Sequence, residues 1–89
     1  MTEHEKLIRK IVSGDSDTDT WFHGMSSVLR RLGFQERVRG NHHIFTREQV
    51  EEILNLQSIA LVKAKPYQVR QVRQIILKYG LGGPEESGQ

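Results

Sequence analysis

A helix stop signal occurs twice in this chain and places the strongest constraint on its fold. Apolar residues recur at helical spacing over residues 22 to 32 and again over residues 69 to 79. Each stretch is followed at once by a glycine and an apolar residue, Gly33-Phe34 and Gly80-Leu81. A left-handed glycine ends a helix, and the apolar residue after it folds back onto the last turn. The sequence therefore predicts two amphipathic helices, with residues 34 to 62 between them.

The segment after the first of these helices predicts two strands joined by a turn. Residues 34 to 39 alternate between two sets of side chains, which is the period of a strand. Gly40-Asn41 supplies turn residues, and Ile44 and Phe45 suit a second strand. Residues 47 to 57 are ambiguous, because their apolar positions fit helical spacing slightly better than strand alternation. The residue pattern alone favours a helix there.

The remaining segments set the domain boundaries. Residues 1 to 14 predict an additional N-terminal helix that ends at Ser13-Gly14. Asp19 or Thr20 is expected to cap the next helix, so the main domain spans residues 20 to 81. The polar, glycine-rich residues 82 to 89 predict a disordered tail. A chain of 89 residues is long enough for one such domain.

The charge is unevenly distributed, although the formal net charge is only +2. Residues 21 to 81 hold ten Lys or Arg against four Glu, a surplus of six, whereas both ends of the chain are acidic. A basic globular region indicates a polyanionic partner, with nucleic acid first, although a well-solvated surface would also fit. The chain has no cysteine, no long apolar run and no signal-peptide pattern. We therefore expect a soluble cytoplasmic protein with no membrane partner.

Two adjacent histidines, His42 and His43, follow the predicted turn. Adjacent residues on a strand point to opposite faces, so the pair is poorly placed to bind one metal ion, and no cofactor is expected. A hydrogen-bonded surface pair is the plainest interpretation. Acid–base catalysis is the other, because histidine titrates near neutral pH. In that case one histidine faces the reaction and the other supports the fold.

A second group of basic residues surrounds the predicted start of the last helix at Pro66. Cations oppose the helix dipole at this position, so they are mildly unfavourable for folding. They become useful when an anion binds there, because backbone N–H groups and positive side chains then act together. An ordinary solvated helix face is the alternative. The residues concerned are Lys63, Lys65, Arg70 and Arg73.

Two motifs in this order resemble the HicA toxin family, small RNA-cleaving toxins of bacterial toxin–antitoxin pairs. The first is Leu-Arg-Arg-Leu-Gly-Phe followed by a strand and Arg-Gly-Asn-His-His-Ile-Phe. The second is Val-Arg-Gln-Ile-Ile-Leu-Lys-Tyr-Gly-Leu in the last helix. The resemblance covers about residues 22 to 81. Asn41 stands where the family usually has serine, and residues 55 to 57 lack the histidine that many members carry after the third strand.

The resemblance implies an α+β fold of the double-stranded-RNA-binding type, α-β-β-β-α, preceded here by the extra helix. It replaces the helix favoured for residues 50 to 57 with a third strand. It also implies a metal-independent endoribonuclease that cleaves mRNA, with His42 as the catalytic histidine. A HicB-like antitoxin would be its protein partner.

Three functional hypotheses follow. The first is the RNA-cleaving toxin, with His42 as general base or general acid. The second is a non-catalytic RNA-binding module of the same fold, and the third is a protein-interaction domain whose basic surface binds an acidic partner. In the first two hypotheses the residues expected to contact RNA are Arg37, Arg39, Asn41, His43, Lys63, Lys65, Arg70 and Arg73.

Overall fold

Three helices and a three-stranded antiparallel sheet form the α+β fold that the sequence predicts. The computed structural model describes residues 2–57 and 63–82, and the predicted tail lies outside the described residues except for Gly82. In chain order the elements are α1 (Glu3–Ser13), a 3-10 helix (Asp17–Asp19), α2 (Phe22–Arg31), β1 (Gln35–Arg39), β2 (His42–Arg47), β3 (Val50–Gln57) and α3 (Pro66–Tyr79). The order α-β-β-β-α therefore follows α1 and the short 3-10 helix.

Both predicted glycine stops are confirmed. Gly33 has a φ of 98°, and the Phe34 N–H donates to the Leu29 carbonyl at 3.0 Å while its ring is buried. Gly80 has a φ of 62°, and the next N–H donates to the Ile76 carbonyl at 3.0 Å. Each glycine adopts the left-handed backbone conformation, which is sterically unfavourable for residues with a Cβ. This conformation ends the helix and turns the chain so that the next apolar side chain packs back against the last turn.

The expected cap of α2 is wrong. Trp21 occupies the N-cap position without a side-chain hydrogen bond. Thr20 is fully buried instead, and its hydroxyl donates to the Ser16 carbonyl at 2.8 Å. Its own carbonyl accepts the Ala64 N–H at 2.7 Å. Thr20 therefore joins the 3-10 helix to the segment before α3. Because its hydroxyl already donates to the Ser16 carbonyl, it does not cap α2.

The sheet has the order β1-β2-β3, with β2 in the centre. Arg39 pairs with His42 across the two-residue turn Gly40-Asn41, where Gly40 has a φ of 60°. β3 resolves the ambiguous segment as a strand, because its residues alternate between buried and exposed along the pairing with β2. The register with β2 is irregular between Phe45 and Arg47, which marks a bulge before the second turn.

The core lies between the helices and one face of the sheet. Phe45, Leu54 and Leu56 point from the sheet into this layer. Among the described residues no helix packs on the other face of the sheet, and the core cluster contains no side chain from that face. None of the described helices combines the length and apolar content needed to span a membrane. The helices contribute the buried residues Ile11, Phe22, Met25, Leu29, Val69, Val72, Ile75 and Ile76.

Candidate functional site

The two histidines of β2 point to opposite faces of the sheet, as strand alternation predicts. His43 is half-buried on the helix side, where its ring meets the Phe22 ring edge-on with centroids 5.0 Å apart. His42 is exposed on the face without helices. The two side chains therefore lie in different environments and meet different partners.

His42 forms one side-chain hydrogen bond, from its Nδ1 to Oδ1 of Asn55 on β3, at 3.1 Å. The register places Asn55 opposite Ile44 and Gln57 opposite His42, so Asn55 is the diagonal neighbour of His42 on the same face. An amide oxygen can only accept a hydrogen bond, so Nδ1 carries the proton in this pair. In the neutral ring Nε2 is then the nitrogen with a free lone pair.

Two arginines share the face of His42. Arg39 lies directly opposite His42 in the β1–β2 register, and Arg37 lies opposite Ile44. Both side chains are exposed, and neither forms an ion pair within residues 2–57 and 63–82. Asn41 is exposed in the adjoining turn. The sheet thus brings the guanidinium groups of Arg37 and Arg39 and the exposed imidazole of His42 onto one surface.

His43 belongs to a structural cluster on the other face. Its Nδ1 donates to Oε2 of Glu36 at 2.6 Å, and Arg30 donates to the other carboxylate oxygen at 2.6 Å. Burial raises the pKa of the Glu36 carboxyl, but the hydrogen bonds from His43 and Arg30 outweigh burial and lower it. The cluster ties α2 to β1 and β2. This geometry gives His43 a supporting role and does not place it on the surface of His42.

The basic residues near the start of α3 separate into two groups. Lys63 lies 2.6 Å from a carboxylate oxygen of Asp19, and Arg73 donates to both oxygens of Asp17, at 2.8 and 3.2 Å. These two cations are already paired with carboxylates, and the Arg73 side chain is only 18% exposed, so the structure gives Arg73 an internal partner while its expected contact with RNA stays a prediction. Arg70 is exposed and Lys65 is half-exposed, and neither has an ion pair among the described residues.

The start of α3 lies at the same end of the sheet as His42. The Gln68 side chain reaches the carbonyl of Gln57 at 3.5 Å, and Gln57 is the β3 residue paired with His42. The bridge between Trp21 and Lys63 brings the start of α2 to the same region. Trp21 is half-exposed there, and the Lys63 ammonium lies over its ring at 5.6 Å from the centroid.

A groove of about 600 Å³ lies on another part of the surface, between α1 and α2. On its wall His4 Nε2 and Ser27 Oγ are 2.9 Å apart. No sheet residue lines the groove, so it is separate from the surface of His42. Its lining residues are Glu3, His4, Lys6, Leu7, Lys10, Trp21, His23, Gly24 and Ser27.

Sequence reasoning missed Asn55 as the partner of His42 and Glu36 as the partner of His43. Both contacts depend on strand register, which single-strand patterns do not give. The two-residue turn Gly40-Asn41 sets the register of the first hairpin and places Val38 opposite His43. Glu36, two residues before Val38 on the same face, is then the diagonal neighbour of His43. The turn was therefore a usable signal for the contact between Glu36 and His43. Asn55 required the second register, in which a bulge intervenes.

No arrangement of three or more His, Cys, Asp or Glu side chains that could hold a metal ion occurs in the part of the chain that the structure describes. The chain matches no family model, no curated protein and no solved structure. The functional argument therefore depends on the residues and their geometry.

Proposed function

We propose that this protein is an endoribonuclease of the HicA toxin type, with His42 as the general base. The observation that carries the proposal is the geometry of His42. This exposed imidazole has its Nδ1 hydrogen-bonded to Asn55, and it shares a surface with Arg37 and Arg39; within residues 2–57 and 63–82 neither its Nε2 nor the two arginines have a side-chain partner. That combination suits proton removal beside a phosphodiester.

The reaction that fits these groups is attack by the ribose 2′-oxygen on the neighbouring phosphorus. Nε2 of His42 takes the proton from the 2′-hydroxyl as the new oxygen–phosphorus bond forms. The bond from phosphorus to the 5′-oxygen breaks, and a solvent water gives that oxygen its proton. The products are a 2′,3′-cyclic phosphate and a free 5′-hydroxyl. Because the nucleophile is the 2′-oxygen of the RNA itself, the reaction requires a 2′-hydroxyl and does not occur on DNA.

Arg37 and Arg39 are proposed to bind the phosphate whose charge grows during the attack. Guanidinium groups form paired hydrogen bonds with phosphate oxygens, and these bonds strengthen as charge develops. Arg39 lies directly opposite His42, which suits contact with the reacting phosphate. Lys65 and Arg70, at the start of α3 and at the same end of the sheet, would bind phosphates further along the strand.

The wider biological assignment comes from the sequence resemblance. The observed element order is compatible with a double-stranded-RNA-binding-like fold, and the motifs around Gly40-Asn41 and in α3 resemble those of HicA toxins. On this proposal the protein acts on mRNA in the cytoplasm and is inhibited by a HicB-like antitoxin.

The test compares cleavage of a labelled single-stranded RNA by the wild type, His42→Ala and His43→Ala under single-turnover conditions. We expect His42→Ala to lose about 100- to 10,000-fold in rate, the usual contribution of a positioned general base. Wild-type cleavage should persist with a chelator and should not occur on a DNA of the same sequence. Equal rates for wild type and His42→Ala, or cleavage of the DNA, would overturn the assignment.

One observation favours a second candidate, a non-catalytic RNA-binding module. The only polar side chain that contacts His42 among the described residues is Asn55, which cannot supply a proton to the leaving oxygen. Intact RNA at high protein concentration, together with an affinity that falls steeply with salt, would support this candidate.

A further inference from the structure

We propose that Asn55 is the positioning residue of the site, and that its side chain sets both the tautomer and the orientation of His42. The inference rests on the proposed function, which it deepens by naming the group through which the base is controlled. Asn55 touches His42 and is not itself proposed to touch the reacting atoms.

The first argument is the identity of the two bonded atoms. Oδ1 of Asn55 accepts from Nδ1 of His42 at 3.1 Å. A free neutral imidazole can carry its proton on either nitrogen, and the partner of one nitrogen decides which tautomer is held. The bond to Oδ1 holds the proton on Nδ1, so the lone pair stays on Nε2. A general base needs that lone pair directed at its substrate.

The second argument is that the core fixes the face of the strand on which Asn55 lies. It lies between Leu54 and Leu56, which are both buried in the core at 1% and 0% exposure. The strand cannot rotate about Asn55 without exposing one of them, so its side chain is held on the open face. The amide is therefore kept on the face and at the strand position from which it reaches the His42 ring.

The third argument is the contrast between the two histidines. His43 bonds to a carboxylate, Glu36, which also holds Arg30. His42 bonds to a neutral amide, which accepts from Nδ1 without adding a negative charge beside the ring. The charged residues that share the open face are Arg37 and Arg39 of β1 and Glu51 of β3, and Glu51 lies four residues from Asn55. Asn55 therefore orients the base and leaves it free to exchange its proton with substrate.

Two variants of Asn55 separate these effects. Asn55→Leu removes the acceptor, and we expect a roughly 10- to 100-fold lower kcat with little change in KM, since part of the contribution of the base depends on its orientation. Asn55→Asp keeps an acceptor but adds a charge, so it should recover most of the rate. Its pH–rate profile should move to higher pH by about one unit, because a carboxylate favours the protonated imidazole. Thr46→Val, a similar polar-to-apolar change four residues along the same face of β2, is the matched control and should leave kcat unchanged.

A second measurement does not depend on cleavage. In protein with ¹⁵N-labelled histidine, the two ring nitrogens of His42 report directly which one carries the proton. We expect the Nδ1–H tautomer in the wild type and in Thr46→Val, and a shift toward Nε2–H in Asn55→Leu. An Nε2–H tautomer in the wild type would overturn the inference, and so would an unchanged tautomer with unchanged kcat in Asn55→Leu. Loss of cleavage activity in every form, with the expected tautomers, would instead count against the proposed function alone.

Discussion

Arg73 of α3 donates two hydrogen bonds to the carboxylate of Asp17, at 2.8 and 3.2 Å, and a third to the carbonyl of Ile11 at 3.2 Å. The hydrogen bond from Arg73 lowers the pKa of Asp17, although burial opposes it. One guanidinium thereby joins α3 to the 3-10 helix and to the last turn of α1. The arginine that the sequence places in a basic patch is used inside the protein.

The first prediction compares Arg73→Met with Arg70→Met, which remove the same charge three residues apart on α3. Arg73→Met should lower the melting temperature, because it leaves the Asp17 carboxylate without its partner. Arg70→Met should leave the melting temperature unchanged and weaken RNA binding, lowering the slope of log K against log salt by about 0.7. Thermal unfolding and salt-dependent binding measure the two effects. Weaker RNA binding by Arg73→Met, together with a lower melting temperature for Arg70→Met, would show that Arg73 contacts RNA and that Arg70 does not.

The second prediction concerns the folding roles of the two histidines. His43→Ala should reduce the free energy of unfolding by about 1–2 kcal/mol, because it removes a hydrogen bond to ionised Glu36 and an edge-on contact with Phe22. His42→Ala, at an exposed position, should change it by less than about 0.5 kcal/mol. Urea unfolding gives both values. Similar losses for the two variants would contradict their separation onto different faces.

The third prediction is a loss of stability in acid through Glu52. Hydrogen bonds from Lys78 and Tyr79 lower the pKa of Glu52 from its ordinary 4.5 to about 2. Because the folded-state pKa lies below the unfolded one, this carboxylate stabilises the fold above pH 4.5, and the contribution is lost as the pH falls toward 2. Glu52→Gln should therefore be less stable than wild type at pH 7, with the difference closing below pH 4.5. A difference that stays constant from pH 7 to pH 2 would exclude this linkage.

The fourth prediction tests the open face as the RNA surface. Arg39→Gln should weaken RNA binding and lower the salt slope by about 0.7, because one phosphate contact is lost. Arg31→Gln makes the same change of charge on an exposed residue of α2, in the helix layer, and should leave both unchanged. Binding titrations at several salt concentrations compare the pair. Equal losses of RNA affinity in Arg39→Gln and Arg31→Gln would mean that binding depends on the net charge of the protein and not on the open face of the sheet.

The local stop signals were predictable because their cause is local. Gly33 and Gly80 end helices through backbone geometry that involves a few consecutive residues. The strand at residues 50 to 57 was not predictable from its own pattern. Its apolar spacing fits both elements, and pairing with β2 decides the outcome. Here the resemblance to HicA toxins corrected what the residue pattern alone favoured.

The candidate site was predictable in part. The turn and strand alternation predict that His42 and His43 separate, and that Arg37 and Arg39 share a face. The partners Asn55 and Asp17 could not be predicted, because they meet His42 and Arg73 through the second strand register and through tertiary packing. The same reason explains why the pairing of Arg73 with Asp17 was not foreseen. A cation's sequence neighbours do not show which carboxylate the fold will bring to it.

The register of β2 sets which of the two adjacent imidazoles lies on the open face of the sheet. The Gly40-Asn41 connection holds Arg39 opposite His42. A slip of β2 by one residue against both neighbouring strands would turn His43 toward the open face and His42 toward the helices, but it would also take the buried Phe45 ring out of the core. The burial of Phe45, three residues along the same strand, therefore holds His42 on the open face together with the two-residue connection.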